Sequence, residues 1–181
     1  MGVLAEVAFE AGLEVVTFWW GSPANLRKRD PGEVAEIVGA LGAWLKGEGQ
    51  ALLLRHGAAL DVLGHVERDC PALGGFPVGG AGPRRVVLLM AYDGREEIEE
   101  ASRRAAVAGA PGDLARHLWT AHLPPVDLVI RTGGESHLSA GFLLWQIAEA
   151  RLAFLSELWP DLTPDRLRAV LASQPERRFG A

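Results

Sequence analysis

"DLVIRTGGESHLSAGFLLWQ", residues 127–146, decides how this sequence folds. An apolar strand runs into an arginine, a threonine and two glycines, and an apolar segment follows. In parallel sheets, ligands bind beyond the carboxyl ends of the strands. Arg131 stands at such an end. Gly133 and Gly134 allow backbone N–H groups to approach a ligand closely. A helix over "AGFLLWQIAEA" would place its N-terminus just downstream. Guanidinium, bare amides and helix dipole together suit a phosphate or diphosphate. A purely structural alternative stands beside this one: Arg131 pairs with Glu135, and the glycines only turn the chain.

Outward from this stretch, the pattern is an alternation of strands and helices. Residues 2–11 read as a helix closed by Gly12. "LEVVTFWW" (13–20) reads as a buried strand, with Trp19 and Trp20 on opposite faces. "GSPANLRKRDP" reads as a loop, and Asp30-Pro31 as the cap and first position of the next helix. Val34, Ile37, Val38, Leu41 and Leu45 form that helix's apolar face. Further strands are expected over 59–64, 85–92, 126–131 and 151–155. Helices are expected over 95–109, briefly from Asp113, and from Pro164. Residues 71–83, rich in proline and glycine, exclude a helix. Such alternation predicts an α/β fold with a mostly parallel central sheet flanked by helices.

Composition sets outer limits. The 181 residues suit one domain with a sizeable core. The formal net charge of -5 gives no global attraction to nucleic acid, so any anion site is local. A single cysteine, Cys70, permits no intrachain disulfide and suits a reducing, cytoplasmic setting. No apolar run reaches membrane-spanning length, leaving at most a peripheral membrane contact. His117 and His122 are five residues apart and do not share a helical face as metal ligands would.

The opening stretch resembles the signature of the cis-prenyltransferases, the undecaprenyl diphosphate synthase family. That pattern is D-L-x-I-R-T-G-G-E followed by x-R-x-S-N-F-L-L-W-Q. "MAYDGREEI" (90–98) is similar to the family's N-Y-G-G-R stretch, and "SELWPDLTPDRL" (156–167) to its V-L-W-P-D-F segment. "TAHLPPVD" (120–127) fits the approach to the signature strand. "ERRFG" (176–180) resembles the C-terminal R-x-G ending, and "TFWWGSPANLRKRDPGEV" (17–34) the S-x-E/D-N-x-x-R-P loop. The resemblance implies that family's fold and the condensation of isopentenyl diphosphate with an allylic diphosphate. It also implies Mg²⁺, which neutralises the departing diphosphate, a hydrophobic tunnel for the growing chain, and a dimer. Carried over residue by residue, Arg131, Gly133, Gly134 and Ser139 would hold a diphosphate. Arg178 and Gly180 would reach across the dimer, and Ser22 and Asn25 would line the allylic site. Lys28 and His137 are further candidates for phosphate contact.

The departures from the pattern matter as much. On the resemblance, residues 1–181 form a single domain lacking the family's first strand and its D-G-N-x-R-W-A motif. His137 replaces the second arginine of the signature. Arg151 stands where the family has a metal-binding glutamate, and a cation there would repel Mg²⁺. Ala24 replaces the acidic residue of the substrate loop. The segment 71–83 replaces a tunnel-wall helix. No catalytic set is intact, and the expected Mg²⁺ ligands are missing from their positions.

The reading is therefore a cis-prenyltransferase of polyprenyl diphosphate biosynthesis whose chain alone is weak or inactive. It would work as a degenerate subunit, in a homodimer or in a heterodimer with a complete synthase. Two alternatives stay open: an active short-chain or metal-atypical prenyltransferase, and a prenyl diphosphate-binding or cyclising protein on the same fold.

Overall fold

The computed structural model describes residues 1–73 and 82–174. Arg178, Gly180 and most of the proline- and glycine-rich stretch lie outside them. In chain order the helices are α1 (Gly2–Glu10), α2 (Pro23–Lys28), α3 (Pro31–Lys46), α4 (Glu48–His56), α5 (Val66–Asp69), α6 (Gly94–Val107) and α7 (Pro164–Ala172). The strands are β1 (Val15–Trp19), β2 (Ala59–Leu63), β3 (Arg85–Leu89), β4 (Leu128–Arg131) and β5 (Arg151–Phe154). Every strand pair is parallel.

β3 lies between β1 and β2, and its burial follows from that position. Covered on both edges and both faces, Val86 to Met90 are each 0% exposed. This explains the unbroken apolar run where an edge strand would alternate. α3 forms as its sequence demands. The Asp30 side chain accepts from the N–H of Gly32 at 2.8 Å, Pro31 opens the helix, and Val38, Leu41 and Leu45 are buried. Gly12 closes α1 at φ +83°, a conformation that disfavours any side chain.

The parallel sheet does not close into one. β4 and β5 pair with each other alone, apart from the three-stranded sheet. A single large core still joins them. Val16, Phe18, Val86 and Leu88 from one sheet and Leu128, Ile130 and Ala153 from the other pack with α1, α3, α4 and α7. Val87, Leu89, Tyr92 and Leu143 form a smaller cluster on the opposite face. As their alternation requires, Trp20 packs against the large core and Trp19 against the small cluster. Cys70 is buried beside Leu73, and burial raises its thiol above the ordinary range, with the Asp69 carboxylate adding to the rise.

Two expectations are corrected. α2 occupies what reads as an open loop. The helix over "AGFLLWQIAEA" does not form; residues 140–149 run as successive turns. Ala140, Gly141 and Leu143 have φ of +50°, +55° and +44°, which a right-handed helix cannot contain. Hydrogen bonds three residues apart replace the helical pattern: Phe142 N–H to Ser139, Leu144 to Gly141, Gln146 to Leu143. The cause is a tertiary contact. The N–H of Gly94, at the start of α6, donates to the Ala140 carbonyl at 3.0 Å. A Cβ on Gly94 would lie 1.9 Å from the Gly141 oxygen, so the two backbones are locked together there.

Candidate active site

Arg131 ends β4, where parallel topology places ligands. Its Nη1 donates to Ser139 Oγ at 2.8 Å, while its Nε is buried without a partner among the described residues. His137 Nε2 lies 3.5 Å from the same Ser139 hydroxyl, and His137 Nδ1 lies 3.4 Å from Glu135. The alternative pairing of Arg131 with Glu135 is therefore not adopted. Arg131, Ser139 and His137 form a linked polar set on one loop, with an unused guanidinium donor.

The glycines behave differently from expectation. Gly133 and Gly134 have φ of +95° and +75°, so only glycine suits these positions. Their N–H groups are not open to a ligand. Gly133 donates to the Glu157 carbonyl at 2.7 Å and Gly134 to that of Leu155 at 2.9 Å. They tie the loop to the exit of β5. With no helix formed over 140–149, the expected helix N-terminus is also absent from this loop.

Ser22 and Asn25 sit on the loop that leaves β1 and are engaged with each other. The Ser22 hydroxyl donates to Asn25 Oδ1 at 2.8 Å and accepts from the Asn25 N–H at 3.2 Å, a reciprocal box that starts α2. Ser22 is buried, and Asn25, Ala24 and Lys28 are exposed. Lys28 closes α2 in its last turn.

Arg151 opens β5 opposite Leu128, whereas Arg131 pairs with Phe154. Three residues of strand, about 10 Å, thus separate Arg151 from Arg131. Its charge is therefore not brought against the Arg131 loop. Among the described residues no group of three or more His, Cys, Asp or Glu could hold a metal ion. The carboxylates near the loop are committed: Glu135 to His137, and Glu157 to Arg166 at 2.5 Å. A hydrogen bond within Glu157 itself, and then Arg166, hold that carboxyl below the usual carboxylate range. These groups do not fit a Mg²⁺ ion, which demands a near-octahedral set of oxygens.

A buried network linking α6 to the 140–149 turns was not anticipated. Glu97 of α6 is 1% exposed. It accepts from Tyr92 Oη at 2.5 Å, and from the Thr120 N–H and hydroxyl at 2.9 and 2.7 Å. Gln146 Nε2 donates in turn to Thr120 Oγ1. Burial first, and the Glu97 charge second, push the Tyr92 phenol far up. The signal was a glutamate on the helical face it shares with Ala101 and Ala105, both fully buried. His122, read as unremarkable, contacts buried Asp61 at 3.0 Å, which also pairs with Arg85 at 3.0 Å.

A large apolar cavity, about 720 Å³, lies between β1 and β4. No helix among the described residues is long and apolar enough to cross a membrane.

Parallel strands flanked by helices, with an arginine–serine pair at the carboxyl end of β4, define an α/β protein. Comparison with known proteins gives the class. A family model described as "Putative undecaprenyl diphosphate synthase" matches residues 80–180. An isoprenyl transferase of Zymomonas mobilis is 36% identical, over 96% of this chain and 76% of its own. A ditrans,polycis-undecaprenyl-diphosphate synthase of Pseudomonas aeruginosa, specific for (2E,6E)-farnesyl diphosphate, is 36% identical over 97% of this chain and 76% of its own. The crystal structure of lavandulyl diphosphate synthase from Lavandula x intermedia, in complex with dimethylallyl diphosphate, superposes with a TM-score of 0.82. It is 28% identical, over 99% of this chain and 83% of its own. The chain belongs to the cis-prenyltransferase family of isoprenoid biosynthesis.

Proposed function

We propose that this chain binds the diphosphate of a prenyl substrate at Arg131 and Ser139, with His137 as a further contact. In this reading it serves as the anion-binding partner of a complete cis-prenyltransferase. The observation that carries the reading is the Arg131 guanidinium: Ser139 fixes one nitrogen, and the buried Nε has no protein partner among the described residues. A buried donor without an acceptor is costly, and a phosphate oxygen would relieve it. Three interior positions support a chain that turns over poorly alone. Ala24 and His137 replace groups that the family resemblance assigns to substrate, and Arg151 replaces a glutamate that it assigns to the metal. Mg²⁺, used by the family, would then be held by the partner's residues.

An assembly through the C-terminal half is part of the same reading. Trp145, Leu152, Phe154 and Leu158 are all exposed on and around β5, a concentration of apolar surface suited to a protein interface. Arg178 and Gly180 would be delivered from there into the partner's site.

Calorimetric titration with isopentenyl diphosphate tests the site. Wild type should bind, and Arg131→Ala should lose about 1.5–3 kcal/mol, the value of a hydrogen bond to a charged group. No heat with wild type at millimolar ligand would overturn the reading. For the assembly, the chain alone should show little Mg²⁺-dependent elongation of farnesyl diphosphate. Co-expression with a complete homologue should yield a mixed dimer whose activity falls when residues 176–181 are removed. Turnover by the chain alone at a complete synthase's rate would instead favour an active, metal-atypical enzyme.

A further inference from the structure

We infer that His137 couples diphosphate binding at the Arg131 loop to uptake of a proton: the imidazole becomes charged as the anion arrives and supplies a second positive charge. The inference rests on the diphosphate reading and adds its regulation by pH. Charge balance is its first support. The linked set on the loop is Arg131, Ser139, His137 and Glu135. Arg131 brings the set's fixed positive charge, and the Glu135 carboxylate cancels it. While His137 is neutral, a multiply charged diphosphate meets a set with no net charge. One proton on the imidazole changes that balance in the anion's favour.

Hydrogen-bond direction gives the second support. Arg131 Nη1 donates to Ser139 Oγ at 2.8 Å, so the serine oxygen is the acceptor there and its own hydrogen is free to point elsewhere. His137 Nε2, 3.5 Å from that oxygen, accepts the hydrogen only while the imidazole is neutral. Nδ1 then carries the ring's proton and faces Glu135 at 3.4 Å. An arriving phosphate oxygen that meets the unpartnered Nε of Arg131 shares one guanidinium with Ser139. The serine hydrogen turns to the phosphate. His137 Nε2, released, takes a proton from solvent and donates it as a hydrogen bond to the same anion. Nδ1–H stays towards Glu135, whose carboxylate balances the imidazolium. One proton leaves solvent for each anion bound, and no bond to phosphorus is made or broken.

The looseness of His137 agrees with this role. Both of its contacts are long, and its side chain is 59% exposed. A histidine that only braced the loop would be buried and closely bonded. Bracing falls instead to Gly133 and Gly134, whose N–H groups fasten the loop to the exit of β5.

The charged groups on the elements joined to this loop are Arg131 from β4, Glu135 on the loop itself, Glu157 at the exit of β5 and Arg166 of α7. Glu157 and Arg166 are paired with each other at 2.5 Å. Arginine and carboxylate side chains keep their charges through the neutral range, whereas histidine is the side chain that changes charge there. Within this set, a response of anion affinity to neutral pH therefore comes from His137.

The test is calorimetric titration of the whole chain with isopentenyl diphosphate, without added metal, from about pH 6 to about pH 8 in buffers of contrasting ionisation enthalpy. His137→Arg, with a charge that does not titrate, is the reference, because the ligand's own titration is common to both proteins. The ratio of wild-type Kd to that of His137→Arg should rise about 10-fold across this range, with wild type taking up the additional protons. A constant ratio with equal proton uptake would overturn the inference. Nitrogen-15 NMR gives a second readout, with the His137 ring signals assigned by their loss in His137→Gln. Both ring nitrogens should be protonated in the complex at about pH 7, and a ring that stays neutral there would overturn the inference as well. Binding that Arg131→Ala weakens, at a constant ratio, sinks the proton coupling and leaves the diphosphate reading standing. Absence of binding by wild type at every pH sinks both.

Discussion

The loop leaving β1 and the loop leaving β4 both emerge at carboxyl ends of parallel strands, where a ligand is expected. They spend their polar groups differently. Ser22 and Asn25 satisfy each other and start a helix. Gly133 and Gly134 likewise give their N–H groups to the protein. Arg131 keeps a donor in reserve, and His137 and Ser139 stand beside it. A motif position therefore does not make a site until its hydrogen bonds have been traced. On that criterion the second loop retains an unspent side-chain donor among the described residues, whereas the polar pair of the first is spent on its own helix start.

The largest expected effect concerns the network that ties α6 to the turns beyond the second loop. Glu97→Ala leaves Tyr92 and Thr120 with buried unpaired groups, and should cost about 3–5 kcal/mol of unfolding free energy by urea denaturation. If it costs under about 1 kcal/mol, the network does not hold the fold together there. Gly94→Ala should be nearly as damaging, because the added carbon meets Gly141 backbone and not a flexible side chain; overpacking costs about 1–3 kcal/mol. Thermal denaturation reads it. An intermediate effect separates the two loops directly. Ser22→Ala should lower stability by about 1 kcal/mol, as loss of a helix cap does, and leave isopentenyl diphosphate affinity unchanged. A fall in affinity matching that of Arg131→Ala would erase the contrast between the loops.

The smallest effect is a pH dependence away from both loops. The Arg68 hydrogen bond holds the Asp69 carboxyl below its ordinary value. A depressed folded-state value stabilises above the unfolded value, near 3.9, and the gain is lost as pH falls through the folded value. Asp69→Asn should cost less than about 1 kcal/mol at pH 7, because Arg68 is half exposed and screened. The gap between variant and wild type should narrow as pH falls below about 3.9, measured by denaturant titration over that range.

Periodicity revealed β3 and α3 because burial and capping are local properties of their residues. The Asp30-Pro31 start and the unbroken "RVVLL" run each admit one structure. Arg131 was legible for the same reason: a charge ending an apolar strand has few explanations. The turns over 140–149 were hidden because the apolar spacing there is helical. What overrides it is the contact with Gly94, some forty-five residues earlier in the chain. The glycine amides were hidden similarly, since only the exit of β5 shows where they are spent. α2 was within reach: serine, proline, then asparagine three residues after the serine is a helix start, here obscured by the basic run behind it. Glu97 was the harder case, because a glutamate near a helix N-terminus is ordinary until its face proves buried.

Cys70 supplies the molecule with a clock. It is the chain's single cysteine, 2% exposed, in the floor of the large core, and burial weakens its acidity. A thiol reagent can reach it only after the Val66–Leu73 region opens, and only the thiolate reacts. Under native conditions its labelling rate thus counts openings of that floor, without any introduced probe. Since the same core gathers residues from both sheets, a partner that tightens their union should slow the count.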